Sequence, residues 1–237
     1  MRIVQYNDTY ENIGGTETYC SDVLFNLDKL GHSVFLLANG SDAARAENHI
    51  ILPASQGAFD SLRSKYFFDK KKYLRFKETL SELRPDAIHL HHNRYHTYEL
   101  FQVLRELKIP VVQTIHDYTI LCPSQYYPQA YFPNYKPCSM GECEVICSKN
   151  KCVPLKRRFF YPILHDKKRA NIRTAINTFI APTQKIKSYL ERADFQNVVE
   201  LPFYIDPTQW AFDANRNAKN TLVFVGRVEI NKGIYNY

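Results

Sequence analysis

The chain has 237 residues, of which 45% are apolar and 14% aromatic, and a formal net charge of +7 at pH 7. That length leaves room for one large domain or two small ones, and that apolar share suffices for a buried core. No run approaches the roughly 18 apolar residues needed to span a bilayer, and polar Asn7 and Asp8 follow the first strand where a signal peptide would continue its apolar core; the expected location is therefore cytoplasmic, at the cytoplasmic face of a membrane if one is met.

In chain order, Met1–Tyr6 reads as a buried strand and residues 7–15 as a polar loop ending in Gly14-Gly15. A helix follows, with Thr16 as its predicted N-cap and Glu17 in the first turn, where an acid suits the helix dipole. Cys20, Val23, Leu24, Leu27 and Leu30 form its apolar stripe, and Gly31 ends it. Val34–Ala38 is the next strand, and Ile50–Leu52 a weaker one. Residues 59–84 are predicted mostly helical and stop before Pro85. Asp86–His91 is a strand, 97–108 a helix with Leu100, Val103, Leu104 and Leu107 on one face, and Val111–Ile115 another strand. Residues 117–153 lack periodicity and are rich in Pro, Tyr and Cys, so they read as a long insertion. Helix returns through about 156–175, Asn177–Ala181 is a strand, Thr183 caps a helix carrying Ile186, Tyr189 and Leu190, and Val198–Leu201 is one more strand. Residues 202–219 read as a linker, and 220–237 as the first strand and loop of a second domain.

Strands alternating with helices predict an α/β domain over 1–201, its parallel sheet covered on both faces. Such sheets bind ligands at the carboxyl ends of their strands. Gly14-Gly15, His91-His92-Asn93, His116-Asp117 and Ala181-Pro182-Thr183 all fall at those ends. Paired glycines at a helix start let a ligand approach the backbone, whose free N–H groups can face an anion; a tight turn is the alternative. The pattern is not G-x-G-x-x-G, so NAD or FAD is not expected. His116 can hydrogen-bond a substrate hydroxyl or phosphate, and Asp117 can orient it or bind sugar hydroxyls; a histidine satisfied by backbone near a loop is the alternative, and the commoner one for the residue type alone. Alternation puts His89 and His91 on one strand face; His91 or His92 is expected to line a cleft and His89 to be packed. The segment Val223-Phe-Val-Gly-Arg-Val-Glu-Ile-Asn-Lys-Gly233 runs from an apolar strand into a loop carrying Arg227 and Lys232, which suits a diphosphate.

Basic residues cluster with aromatics in two blocks. One runs Arg63, Lys65, Lys70, Lys71, Lys72, Arg75, Lys77, interleaved with Tyr66, Phe67, Phe68, Tyr73, Leu74 and Phe76; the other runs from Lys156 through Phe159, Phe160 and Tyr161 to Lys167, Lys168 and Arg169. Both suit anionic lipid head groups, or are solvated helix faces with apolar undersides. No nucleic-acid motif is present, and no nucleic-acid partner is expected. Cys138-x4-Cys143-x3-Cys147-x4-Cys152 gathers four thiols in the insertion. They could enclose a structural zinc that staples a segment with little core, or stand as reduced thiols; disulfides are disfavoured in a cytosol. Cys20 belongs to a helix stripe and is expected in the core.

Taken together, Gly14-Gly15-Thr16-Glu17, Asp86-Ala-Ile-His-Leu-His91, Thr114-Ile-His-Asp-Tyr118, Ala181-Pro-Thr183, Pro202-Phe-Tyr-Ile-Asp206 and Val225-Gly-Arg-Val-Glu-Ile-Asn-Lys-Gly233 resemble, in order and spacing, the family 4 glycosyltransferases of the two-domain GT-B fold. The resemblance implies a Rossmann-like parallel sheet flanked by helices, the acceptor-binding N-terminal half of that fold. It implies transfer of a sugar from a nucleotide-sugar donor to a glycan or lipid-linked acceptor with retention, without a catalytic metal, in surface polysaccharide or glycolipid synthesis. By motif position Gly14 and Gly15 would approach the donor diphosphate, His116 would contact the reacting sugar, and Arg227 and Lys232 would stabilise the leaving group. Glu17, His91, His92, Asn93, Tyr118 and Thr183 would line the acceptor side. The family also carries a glutamate pair later in its C-terminal domain, so the 237 residues alone are expected to fold without meaningful transferase activity. A nucleotide-sugar epimerase of the same architecture and a non-catalytic binding module are the competing readings.

Metal analysis of protein purified without chelators is expected to find about one zinc per chain, held by Cys138, Cys143, Cys147 and Cys152; none would leave the four as reduced thiols.

Overall fold

The apolar run of Ile3 and Val4 starts β1 (Arg2–Asn7), and the computed structural model, which describes residues 1–10, 14–40, 44–45, 48–53, 67–93, 97–122, 161–205 and 224, builds a sheet outward from it. The other strands are β2 (Ser33–Gly40), β3 (Ala44–Arg45), β4 (His49–Pro53), β5 (Ala87–Leu90), β6 (Val111–Thr114), β7 (Thr178–Ala181) and β8 (Val198–Glu200). Their order is β3-β4-β2-β1-β5-β6-β7-β8. All pairs are parallel except β3 with β4. The chain thus winds out from β1 in both directions, the doubly wound arrangement expected of alternating strands and helices. The short antiparallel edge strand β3 is an addition to the predicted elements, too brief to leave a periodic signal.

The helices are α1 (Gly15–Lys29), α2 (Lys70–Leu83), α3 (Thr97–Leu107), α4 (Tyr161–Ala175) and α5 (Gln184–Arg192). Gly14, not Thr16, is the N-cap of α1, and it brings no capping side chain. The chain is already helical at Gly15, so Thr16 lies inside the first turn. At the other end Gly31 has φ +81, its N–H donates to Asp28 O and that of His32 to Leu27 O, the paired closure that favours glycine. Helix α2 begins later than the sequence pattern suggested: residues 67–69 are not helical because Asp69 takes the N-cap, its carboxylate accepting from Lys71 N and Lys72 N. It ends at Arg84, which turns to φ 47 ahead of Pro85. Thr183 caps α5 as expected, its hydroxyl accepting from Ile186 N at 3.3 Å.

Side-chain alternation along the strands divides the buried residues between the two faces. Val4, Tyr6, Leu37, Ile50, Ile88, Leu90, Val111 and Phe179 face the larger core, which is filled by Phe76, Leu80 and Leu83 of α2, Leu100, Phe101, Val103 and Leu104 of α3, Ile172 of α4 and Leu190 of α5. Complete burial of each such leucine or phenylalanine contributes about 1.5–3 kcal/mol. The opposite face holds a small cluster under α1, formed by Cys20, Leu36, Ala38 and Ile51 with Leu24 against it. Cys20 is therefore core, as expected, and burial pushes its thiol up to about 12.

One expectation changes. Arg169 is not part of a solvated basic face: it is 6% exposed and paired with Asp166 one turn back. Residues 202–205, the described part of the expected linker, have no regular structure and are exposed; just before them Leu201 N donates to Ala181 O, and the Phe203 ring stacks on His116. The insertion from 123, the start of the second basic block at 156–160, and residues 206–223 and 225–237 lie outside the described residues, as do Arg63, Lys65 and Tyr66.

Candidate functional site

The face of the central strands beneath α1 is polar where a doubly covered parallel sheet is ordinarily apolar. Gln5 of β1, His89 and the following His91 of β5, and Thr114 of β6 all point there. Gln5, His91 and Thr114 are at most 1% exposed. Each makes a bond to a neighbour, which offsets part of the cost of such burial, while Gln5 Nε2 is buried without a partner among the described residues. Gln5 Oε1 lies 2.7 Å from His91 Nε2, His91 Nδ1 lies 3.1 Å from His116 Nε2, and His89 Nε2 lies 2.7 Å from Thr114 Oγ1. His116 follows the carboxyl end of β6, so the line of bonds rises from inside the sheet to its rim. The rings of His89 and His91 lie 4.4 Å apart, as the shared strand face requires.

Two aromatic side chains enclose His116. Tyr19, one turn into α1, sits 5.3 Å from it edge-on and 5.9 Å from His91. Phe203 stacks on it at 5.1 Å with an interplanar angle of 8° and meets Tyr19 at 5.0 Å. The phenol of Tyr19 is raised by burial and partly relieved by a hydrogen bond from the Tyr204 backbone. The chain after β8 is thereby tied to the start of α1 and to the end of β6 at one point.

Asp117 does not reach His116. Its Oδ1 accepts from Thr119 N at 2.8 Å and from Thr119 Oγ1, while Oδ2 lies 3.3 Å from His92 Nε2. His92 N in turn donates to Asn7 Oδ1. The hydrogen-bonding partner of His116 is thus His91 rather than its sequence neighbour. Glu17 braces the loop ahead of α1, where its Oε1 accepts from Asn7 Nδ2 and Thr9 Oγ1, both at 3.2 Å. Gly14 and Gly15 are exposed at the start of that helix. A Cβ on Gly15 would meet nothing within 4 Å, and one on Gly14 would make only an ordinary 3.7 Å contact with Glu17. The packing among the described residues therefore does not itself demand glycine at either place.

The other expected residues are more dispersed. Asn93 is buried and donates to Gln113 Oε1 at 3.1 Å, on the large-core side of the sheet. Tyr118 packs against Tyr189 of α5 at 6.4 Å, and the Thr183 hydroxyl is engaged in its cap. Arg227, Lys232, Cys138, Cys143, Cys147 and Cys152 lie outside the described residues. Among the described residues no group of three or more histidine, cysteine or acidic side chains is arranged to hold a metal ion. Gln5, Tyr19 and Phe203 were missed from sequence. Gln5 had a signal, as a polar residue set between Val4 and Tyr6 in the buried part of β1; Phe203 stands in the matched Pro-Phe-Tyr-Ile-Asp segment; Tyr19 had none.

The model of the family described as Glycosyltransferase Family 4 matches residues 13–208. No curated protein matches the chain in sequence. Among solved structures it is similar to LpCGTa in complex with UDP, at 12% identity and a TM-score of 0.53, over 86% of this chain and 53% of that one. It is also similar to the UDP-GlcNAc 2-epimerase from Methanocaldococcus jannaschii, at 12% identity and a TM-score of 0.48, over 84% of this chain and 45% of that one. An alpha-glucosyltransferase in complex with UDP and a 13-mer DNA aligns at 12% identity and a TM-score of 0.45, over 88% of this chain and 42% of that one. The chain thus spans about half the length of the solved structures it matches.

Burial holds four histidines neutral: His89 and His165 are lowered to about 4, His116 to about 3, and His91 well below its ordinary value. Unfolded, each takes up a proton near pH 6.5. The unfolded chain then binds more protons than the folded one, so stability is complete above about pH 7.5 and is lost as pH falls from about 6.5 toward 4. Urea unfolding across that range should show the decline, with a slope of up to about 1.4 kcal/mol per pH unit for each histidine; a flat profile would mean that these rings are charged or exposed in the native state.

Proposed function

The chain belongs to glycosyltransferase family 4, and on that premise we propose that the whole protein transfers a sugar from a nucleotide-sugar donor to a glycan or lipid-linked acceptor with retention of configuration. The observation that carries the reading is the meeting of α1, His91, His116 and Phe203 at the carboxyl ends of β1, β5 and β6, where a doubly wound sheet takes its ligand. The UDP named with LpCGTa supports a uridine nucleotide as the donor's carrier. In this reading the donor diphosphate passes close to Gly14 and Gly15, where the uncapped N-terminus of α1 offers N–H groups and the positive end of its dipole. His116, between Tyr19 and Phe203, contacts the sugar being transferred. Arg227 and Lys232 gather the negative charge that develops on the leaving diphosphate, so the transfer needs no catalytic metal. His92, Asp117 and Tyr118 face the acceptor side, and the product enters a surface polysaccharide or glycolipid.

We place the reaction at the cytoplasmic face of a membrane. Among the described residues no helix is long and apolar enough to cross one. Helix α2 instead turns its start outward: Lys70, Lys71 and Arg75 are exposed beside Phe67, Phe68 and Leu74, which are 56%, 45% and 51% exposed. Phe76 and Leu80 face the opposite way, into the core. Aromatic and basic groups together on one outward surface suit anionic head groups, at about 1 kcal/mol per basic residue near the surface. Lys77 does not contribute, since its ammonium bonds Glu106 and Tyr73.

Transfer assays with the whole protein and a panel of UDP-sugars test the first proposal. His116→Ala should lower kcat/KM about 10²–10³-fold while the fold is kept, the product should keep the donor's anomeric configuration by NMR, and EDTA should leave the rate unchanged. An inverted product would rule out the mechanism, and acceptor-independent interconversion of the nucleotide sugar would point to an epimerase. For the membrane, the K70E/K71E/R75E variant should lose co-sedimentation with phosphatidylserine-containing vesicles; retained binding at low salt would remove α2 as the contact.

A further inference from the structure

We propose that Gln5 and His91 are positioning residues that fix the tautomer of His116, so that His116 presents a bare Nδ1 to the cleft and receives there a hydroxyl group rather than a phosphate oxygen. The inference rests on the reading of this cleft as a sugar site, but its physical basis is separate from it. The Gln5 amide oxygen faces His91 Nε2 at 2.7 Å and can only accept, so His91 Nε2 carries the hydrogen. A neutral imidazole has one N–H, which leaves His91 Nδ1 as an acceptor. His116 Nε2, 3.1 Å away, must then be the donor. A neutral His116 is thereby left with its lone pair at Nδ1, the ring nitrogen not used by His91.

Burial shields the relay, whose direction follows from the Gln5 oxygen facing His91. Gln5 and His91 are 0% and 1% exposed, so water does not compete for either bond. His89 shares the face with His91, and His92 and Asp117 lie beyond His116, and burial outweighs the Asp117 charge in keeping His116 uncharged. Phe203 fixes the plane of the His116 ring by stacking, and Tyr19 closes its edge. An imidazole held in this way cannot donate at Nδ1, and a phosphate oxygen there would meet lone pair with lone pair. A sugar hydroxyl, which can donate, fits. The diphosphate then belongs to the N–H groups at the start of α1, so the two ends of one donor are sorted by the hydrogen-bond polarity of two different elements. Neither Gln5 nor His91 need touch the ligand to do this.

The test is the tautomeric state of the histidines, read from long-range ¹H–¹⁵N correlation spectra of the chain labelled with ¹⁵N-histidine at about pH 7.5. The expected result is that His91 and His116 are each protonated at Nε2 alone. Protonation of His116 at Nδ1 would mean the Gln5 amide is turned round and the relay runs backwards, which overturns the proposal. Gln5→Met, which keeps the buried volume without a hydrogen-bonding amide, should lose the single tautomer at His116; if His116 stays wholly Nε2-protonated there, Gln5 positions nothing and the proposal also fails. The wild-type spectrum decides the question even if that variant does not fold. Because the spectra need no sugar transfer, the expected tautomers without transferase activity would sink only the sugar-site reading, and wrong tautomers in an active enzyme would sink only the relay.

Discussion

A line of hydrogen bonds from Gln5 through His91 to His116 runs across one face of the sheet and emerges at its rim, and the site depends on that line. An unpaired polar group at the depth of Gln5 would cost about 1–3 kcal/mol. The bond between Gln5 and His91 offsets part of that cost, and it can form only in one register. In the pairing of β1 with β5, Gln5 lies opposite His89, so His91 falls two residues further along the same face. A slip of one residue would turn His89 and His91 into the apolar core and bring Ile88 and Leu90 under α1. The polar residues therefore enforce register where the apolar ones could tolerate some repacking.

The two faces of the sheet do different work. Beneath α2, α3 and α4 the packing is continuous and apolar, and most of the stability arises there. Beneath α1 the apolar patch is small, and the polar line occupies the space beside it. Helix α1 is held instead at its start, by Glu17 bonding to Asn7 and Thr9 and by Tyr19 packing into the histidines. The element that carries Gly14 and Gly15 is thus positioned by the site's own contacts. For a family 4 glycosyltransferase domain with the fold of a GT-B N-terminal half, this sets the larger apolar core on one side of the sheet and the buried polar line on the other.

Charge is sorted by the same packing. Lys70, Lys71 and Arg75 share a helix with Phe76 and Leu80, and the burial of the last two turns the basic side chains outward. Arg169 stands in an equally basic run, yet it is buried beside His165, whose Nε2 bonds Thr119 O. Helix α4 turns that side of itself inward. Within that run Lys167 stays exposed, so burial there singles out Arg169 rather than the run as a whole.

The sequence by itself determined the architecture and the edge of the sheet at which the candidate site lies. Alternating strand and helix patterns placed nearly every described element, because periodic burial is a local property that the chain displays directly. The motifs after β1, β5, β6 and β7 marked the sheet's carboxyl edge for the same reason. The partners across that edge were decided only by tertiary structure. Asp117 adjoins His116 in sequence, but the turn after β6 directs its carboxylate to Thr119 and His92, while Gln5, 86 residues before His91, supplies the buried oxygen that orients it. Tyr19 and Phe203 meet around His116 only because α1 and the chain after β8 return to one end of the sheet. Which residues touch depends on strand order and register, and these arise from the packing of the whole chain rather than from any local pattern.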